Sequence, residues 1–305
     1  MAARRETVPP QLAGPLDRAV RGVFGVSWGK ARGWIESGKV RVGVETVTEG
    51  TARVAAGASL EVDERARRPR AAELDDRQVV HLDAQVLVLN KPAGLSTVPY
   101  EDAEADTLEG RARAWLERRG KAQRGARPTL GVVHRLDKET SGLVVFTRTW
   151  LAKQSLASQF RKHTVHRRYM AIAHGEVRPR TIRSMLVEDR GDRLRGSARG
   201  TPPPGAREAI THVESAEPLA GATLVVLRLE TGRTHQIRIH LSEAGHPIVG
   251  EHVYIKGYKG PIIEAPRLML HAAELGFVHP STEREMRWTQ PMPDDMAEVL
   301  ARLRG

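Results

Sequence analysis

Apolar positions recur along this chain at two different periods, and the change of period marks out its parts. Leu16, Ala19, Val20, Val23 and Phe24 fall three or four apart, the spacing of one helical face, and Gly25-Val26 ends that helix. Ser27 is placed as the N-cap of a second helix, with Ala31, Trp34 and Ile35 as its apolar stripe and Gly38 as its stop. Val40, Val42 and Val44 then alternate with Lys39, Arg41 and Gly43, the pattern of a half-exposed strand, and Val54 and Leu60-Glu61-Val62 supply more strand. The result is a small α+β module over residues 11–63. Residues 64–76, ERARRPRAAELDD, are charged, carry Pro69 and show no period, as a linker would.

Over residues 77–305 strand patterns outnumber helical ones. Residues 79–82 and 86–89 read as strands, the second running into the turn Asn90-Lys91-Pro92-Ala93-Gly94-Leu95. Thr107 is placed to cap a helix carrying Leu108, Ala112, Trp115 and Leu116, and RRGKAQRGAR at 118–127 reads as a mobile basic loop. Leu143, Val144, Val145 and Phe146 form a run suited to a buried strand. A helix is expected over 150–163 with Ala152, Leu156 and Phe160 inward, then strands over 166–172, 211–214 and 223–229. Residues 178–207 match no regular element, and Gly200–Gly205 must be a loop. Around residue 238 two patterns compete. Gln236, Arg238 and His240 alternate with Ile237 and Ile239 as in a strand. Thr234 as N-cap, Ile237, Leu241 and Ala244 at helical spacing, and Gly245 before Pro247 describe a helix with matching start and stop signals. The helix is preferred, and the class is α+β rather than doubly wound α/β.

Composition narrows the chemistry. The 305 residues suffice for one large domain and a small one. Lys and Arg number 48 against 37 Asp and Glu, a net charge of +11, which favours a polyanionic partner. Aromatic residues make up only 4%, too few for a broad stacking platform. The absence of Cys removes disulfides, thiolate metal sites and Cys nucleophiles. MAARRETVPP is followed by no apolar stretch of signal-peptide type, and no apolar run approaches a membrane span, so a cytoplasmic, soluble protein without a membrane partner is expected.

The densest chemistry lies in residues 132–149, VVHRLDKETSGLVVFTRT, where His134, Arg135, Asp137, Lys138 and Glu139 crowd a loop that feeds a strand. Taken alone, such a cluster is an ordinary solvated turn with a surface ion pair of little energetic weight. The order of residues, however, resembles the signature segment of the RluA-type pseudouridine synthases. NKPAGL at 90–95 is similar to the segment opening that family's catalytic domain. Tyr169 follows with KxY-like spacing, TGRTHQIRIH at 231–240 is nearly a family pattern, and Arg267-Leu-Met-Leu-His271-Ala272 resembles its closing motif. The helix–helix–strand order of 11–63 resembles, more loosely, the S4 RNA-binding domain, although the tight Asn-Gly hairpin common there is replaced by Gly43-Val44-Glu45.

The resemblance implies a pseudouridine synthase fold, a mixed, mostly antiparallel sheet split around a central cleft, preceded by a small α+β S4-like domain. It implies an isomerase that converts uridine to pseudouridine in RNA, ribosomal RNA more than transfer RNA, working as a monomer and needing no cofactor or metal. Asp137 is then the catalytic residue, adding to C1′ or removing a proton from C2′. Arg238 faces Asp137, Tyr169 stacks on the extruded uracil, and Arg135 fills the vacated space or clamps a phosphate. Lys30, Arg32, Lys39 and Arg41 form a patch for RNA phosphates, or else an ordinary solvated basic face. Three rivals are set beside this. A non-catalytic RNA-binding or ribosome-assembly factor is disfavoured because Asp137, Tyr169 and Arg238 occur together. A nucleic-acid-coating protein is disfavoured by the modest charge per residue. A metal-dependent hydrolase using His235, His240, His246 and His252 is disfavoured by spacing, since His235 and His240 are five apart and diverge on either a helix or a strand.

Overall fold

The computed structural model describes residues 3–48, 50, 52–66, 73–100, 104, 106–120 and 130–305. It comprises two compact units, Met1–Ala72 and Glu73–Gly305. Most of the expected basic loop (121–127) and the middle of the expected linker (67–72) lie outside the described residues.

The small unit contains β1 (Arg4–Thr7), β2 (Gly14–Pro15), α1 (Leu16–Phe24), α2 (Trp28–Glu36), β3 (Val40–Val42), β4 (Glu45–Thr46), β5 (Arg53–Val54) and β6 (Ser59–Val62). Helix α1 ends on Gly25 at φ 63°, and the Ser27 hydroxyl accepts the Lys30 amide at 3.2 Å to cap α2, as the turn chemistry predicts. Strands β1, β6, β3 and β4 pair antiparallel in that order. Leu16, Val20, Ile35 and Leu60 fill the core beneath them. The expected strand through Val44 stops two residues early. Gly43, at φ 61°, and Val44 make a two-residue hairpin turn that pairs Val42 with Glu45, a turn that needs a positive φ at its first position. Strand β1 was not foreseen, because all four of its side chains are exposed and it carries no alternation.

The large unit opens with β7 (Val79–Leu82), β8 (Val86–Lys91), α3 (Leu108–Arg118), β9 (Gly131–Val132), β10 (Ser141–Thr147) and α4 (Trp150–Arg161). It continues with β11 (His166–His174), β12 (Arg180–Val187), β13 (Gly196–Ser197), β14 (Arg207–Leu219) and β15 (Ala222–Leu229). It closes with α5 (Gln236–Glu243), β16 (Leu270–Val278), β17 (Glu285–Thr289) and α6 (Asp294–Arg304). The tail of the segment read as linker joins this unit. Leu74 is buried in its core, and Asp76 accepts a bond from the Trp115 indole at 2.7 Å.

One sheet runs β13-β12-β14-β15-β11-β16-β10-β8-β7, with β17 added beside β16 and β9 beside β10. All its pairings are antiparallel except β10 with β16. That parallel contact is short, Ser141 opposite His271 and Gly142 opposite Ala272. Beyond it the two strands take different partners, so the sheet divides there into two halves. The mixed, mostly antiparallel sheet is the one expected.

Three local expectations need correction. Residues 180–187, placed in no element, form β12, which pairs with β14 over seven residues. All but one of its side chains are exposed or half-exposed, so the ladder rather than an apolar alternation defines it. Strand β14 is far longer than 211–214. Helix α5 exists, but Thr234 is not its N-cap. His235 takes that position in the left-handed region (φ 57°), and the Gln236 side chain accepts the Arg233 amide at 3.0 Å instead.

Candidate active site

The polar loop between β9 and β10 is held from below by the turn that follows β8. Lys91 is fully buried, and its ammonium donates to the carbonyls of Pro92, Leu95 and Lys138 at 2.9, 2.7 and 2.9 Å. Burial pushes its pKa down to about 7, while the Asp137 charge pulls the other way. Three carbonyl acceptors match three ammonium protons, an arrangement the neutral amine cannot satisfy. The Gly94 amide shares the Lys138 carbonyl at 2.9 Å. The Thr97 hydroxyl both donates to the Leu136 carbonyl (2.9 Å) and accepts the Leu136 amide (3.1 Å). Residues 136 and 138 are thus pinned on both sides of Asp137, whose side chain stays 22% exposed.

Helix α5 brings the opposing groups. Arg238 Nη1 lies 4.0 Å from Asp137 Oδ2, and His235 Nε2 lies 4.0 Å from Asp137 Oδ1. The arginine is 4% exposed, and its firm partner is another carboxylate. Its Nε and Nη2 donate to Glu251 Oε2 and Oε1, each at 2.7 Å. Glu251 Oε1 also accepts the amides of His252, Val253 and Tyr254. Burial opposes the charge on both groups. The bidentate pair prevails, holding the guanidinium above its ordinary pKa and the Glu251 carboxyl below its own. The Tyr254 ring lies under the Arg238 guanidinium at 5.4 Å, and its hydroxyl shares a 2.7 Å hydrogen bond with His235 Nδ1. Burial pushes that phenol up to about 12, and it pulls the His235 imidazole below its usual value despite the Asp137 charge.

These groups open into a cleft of about 670 Å³ lined by Arg135, Asp137, Tyr169, Arg233, His235 and Arg238 among others. Tyr169, on β11, is 7% exposed, and burial raises its pKa. Arg135 is exposed, with Nη2 3.5 Å from the Thr234 hydroxyl. The four residues predicted from sequence as catalytic or substrate-binding, Asp137, Arg135, Tyr169 and Arg238, therefore line one cavity. It is large enough for a nucleotide, with a carboxylate, an aromatic ring and unpaired cations in its wall.

A family model described as RNA pseudouridylate synthase matches residues 85–243. The chain belongs to the RNA pseudouridylate synthase family. It is an RNA pseudouridine synthase, an isomerase. It is 33% identical to ribosomal large subunit pseudouridine synthase D of Nitrosomonas europaea over 98% of this chain and 87% of that protein. It is 37% identical to the Xylella fastidiosa protein of the same name over 74% and 69% of the two chains. A solved structure described as human RNA pseudouridylate synthase domain containing 4 covers 75% of this chain and 93% of its own at TM-score 0.59 and 24% identity, a likeness of fold.

In this synthase the histidines weighed as metal ligands are otherwise engaged. His240 bonds the hydroxyls of Thr211 and Ser184, and His246 bonds the His174 carbonyl. The cations of the small unit are partly committed. Arg32 lies 3.3 Å from Asp17, Lys30 sits over the Trp34 ring at 4.9 Å, and Arg41 donates to the Val44 carbonyl at 2.8 Å. Lys39 makes no side-chain bond within the described residues. Glu251, Tyr254, His235, Thr97 and the buried role of Lys91 were not foreseen. The one signal for Glu251 is a charged residue directly after the apolar run Pro247-Ile248-Val249-Gly250.

Proposed function

We propose that this synthase isomerises uridines in large-subunit ribosomal RNA, with Asp137 as the catalytic residue. The ribosomal substrate rests on the names of its relatives. The catalytic assignment rests on one observation. Asp137 is the carboxylate in the cleft wall that faces an arginine and an imidazole at 4.0 Å each while keeping open access. The target nucleotide leaves its stack and enters the cleft. Tyr169 holds the uracil by stacking, worth about 1–3 kcal/mol. Arg135, exposed on the rim, fills the gap in the RNA or clamps a phosphate.

The N1–C1′ bond breaks, the uracil turns, C5 bonds to C1′, the C5 proton is released, and N1 takes up a proton, so that product and substrate are isomers. No electrons are gained or lost, so the balance requires no redox partner. Asp137 meets the electron-poor sugar carbon, or takes a C2′ proton, in the step that frees the base. Arg238, clamped by Glu251, fixes the orientation of that carboxylate. The small unit acts as an S4-like RNA-binding domain, with Lys30, Arg32, Lys39 and Arg41 meeting phosphates. In this proposal the synthase acts as a monomer, in the cytoplasm where ribosomal RNA is handled.

The test is tritium release from C5-labelled uridine in an unmodified transcript of large-subunit ribosomal RNA. Asp137→Asn is expected to abolish release while leaving the affinity for the transcript within about threefold, since the two side chains are isosteric. Turnover at the normal rate in that variant removes Asp137 from the mechanism.

A further inference from the structure

Strand β11 presents two side chains to the cleft, Tyr169 and, two residues earlier, Arg167. They are spaced about 7 Å along the strand. Arg167 is only 7% exposed, and its guanidinium is fixed in place. It lies over the Phe160 ring at 5.5 Å, and Nη2 donates to the Glu230 carbonyl at 2.9 Å. Its Nε is buried with no acceptor, and Nη1, beside Gly232, has none either. Among the described residues no carboxylate comes within 4.0 Å of it.

A buried cation normally carries a counter-anion, as Arg238 does in the same cleft. Arg167 instead faces another cation. Arg233 lines the same cleft close enough for its charge to act on Arg167, sends its Nε to the Glu208 carbonyl at 2.9 Å, and also lacks a carboxylate within 4.0 Å. Exposed Arg161 lines the cleft too, and no side-chain partner is present among the described residues. Three like charges lining one cleft, one of them buried and rigid, form a seat for an anion. A neutral uracil carbonyl would leave that charge unbalanced. The face shared with Tyr169 sets the seat about one base-to-backbone distance from the stacking ring.

We propose that Arg167, flanked by Arg161 and Arg233, seats one RNA phosphate, that of the nucleotide whose base Tyr169 holds. This rests on the uridine-binding role given to the cleft above, and adds the group that grips the backbone there. Arg167 is a binding residue, and its removal acts first on affinity.

Two measurements test it. In the first, inorganic phosphate is titrated at constant ionic strength into the ¹⁵N-labelled full chain. The Arg167 Nε–H resonance, identified by its disappearance in Arg167→Lys, is expected to shift saturably. In the second, binding of the unmodified ribosomal transcript is followed against salt. The slope of log affinity on log salt is expected to flatten by about 0.7–0.9, the contribution of one phosphate, in Arg167→Gln and to persist in Arg167→Lys. KM should rise in Arg167→Gln more than kcat falls. A resonance unmoved by phosphate, or an Arg167→Gln slope equal to the wild type's, overturns the proposal. If Arg167→Gln does not fold, the titration and Arg167→Lys decide. Failure here with Asp137→Asn still inactive leaves the catalytic assignment standing. A saturable shift with Asp137→Asn fully active leaves the phosphate seat standing.

Discussion

Arg238 Nη1 stands 4.0 Å from Asp137 Oδ2 because the other edge of the same guanidinium is bound to Glu251 at 2.7 Å through both remaining nitrogens. Glu251 is in turn held by three backbone amides, so the direction in which Arg238 points is set thirteen residues away in the chain. With Asp137 as the proposed catalytic residue, Glu251 acts through Arg238, since it is not itself among the residues lining the cleft.

Glu251→Gln keeps the shape and removes the charge. Breaking a buried pair from one side leaves an uncompensated cation, at a cost of about 3–5 kcal/mol. Misplacing a catalytic neighbour by about 1 Å costs about 10²-fold in rate. Tritium-release kinetics should therefore show kcat lower by about 100-fold with KM little changed, and urea unfolding a lower midpoint. A variant with wild-type kcat would show that Asp137 does not depend on this orientation.

Thr97 offers a milder test of the same idea from the other side of the loop. Its hydroxyl meets both the amide and the carbonyl of Leu136, the residue before Asp137. Thr97→Val removes both bonds at nearly constant volume and strands two buried backbone groups, costing about 1–3 kcal/mol each. Activity should drop by more than tenfold, and Thr97→Ser should restore most of it. Equal activity in Val and Ser variants would assign Thr97 to packing alone.

Sequence and tertiary structure contribute unequally to defining this site. The loop of Asp137 was legible because five polar groups precede an unbroken apolar run, and that run is fully buried in β10. Helix α5 was legible from Ile237, Leu241 and Gly245, because period and stop signal agree. The partner of Arg238 was not legible. Two carboxylates lie within its reach, and only the fold decides that Glu251 takes the bidentate contact while Asp137 takes the single edge. Lys91 looked like a turn lysine, since a sequence does not show that three carbonyls converge on one ammonium. His235 was expected to follow a Thr cap, but its left-handed backbone is a tertiary choice that turns the imidazole toward Asp137.

Two buried histidines, His240 and His271, and the half-buried His134 set a pH window for stability. Burial pushes His134 down to about 3, and His240 and His271 down to about 4. Unfolded, each titrates near 6.5. Above that value both states are neutral, and these groups make no contribution. As pH falls below it the unfolded chain takes up protons that the folded chain refuses, so stability declines until about pH 4. With three groups the slope approaches about 4 kcal/mol per pH unit near pH 5. Urea unfolding across that range should show the decline, and His240→Gln, which keeps hydrogen-bonding capacity toward Thr211 and Ser184, should lessen the slope by about one third. A flat profile between about pH 6.5 and 4.5 would mean that these imidazoles are not held neutral.

The last prediction concerns the seam of the sheet. Gly142 is at φ 114°, and a Cβ added there would sit 2.3 Å from the Ala272 carbonyl oxygen and 2.6 Å from its nitrogen. Both obstacles are backbone, so no side chain can rotate away. Gly142–Ala272 is also one of the two pairs joining β10 to β16, the place where the halves of the sheet meet, and Gly142 pairs with Lys91 on its other side. Gly142→Ala must therefore part the strands as well as adopt a strained backbone. A loss of at least about 3 kcal/mol is expected, beyond the usual range for one added methyl group. The loss should appear as a lower urea midpoint or as failure to accumulate folded protein. Asp137 lies five residues upstream on the loop that this seam supports, so whatever folded protein remains should also turn over slowly. A Gly142→Ala variant with the wild-type midpoint would show that the two halves are joined by something other than this contact.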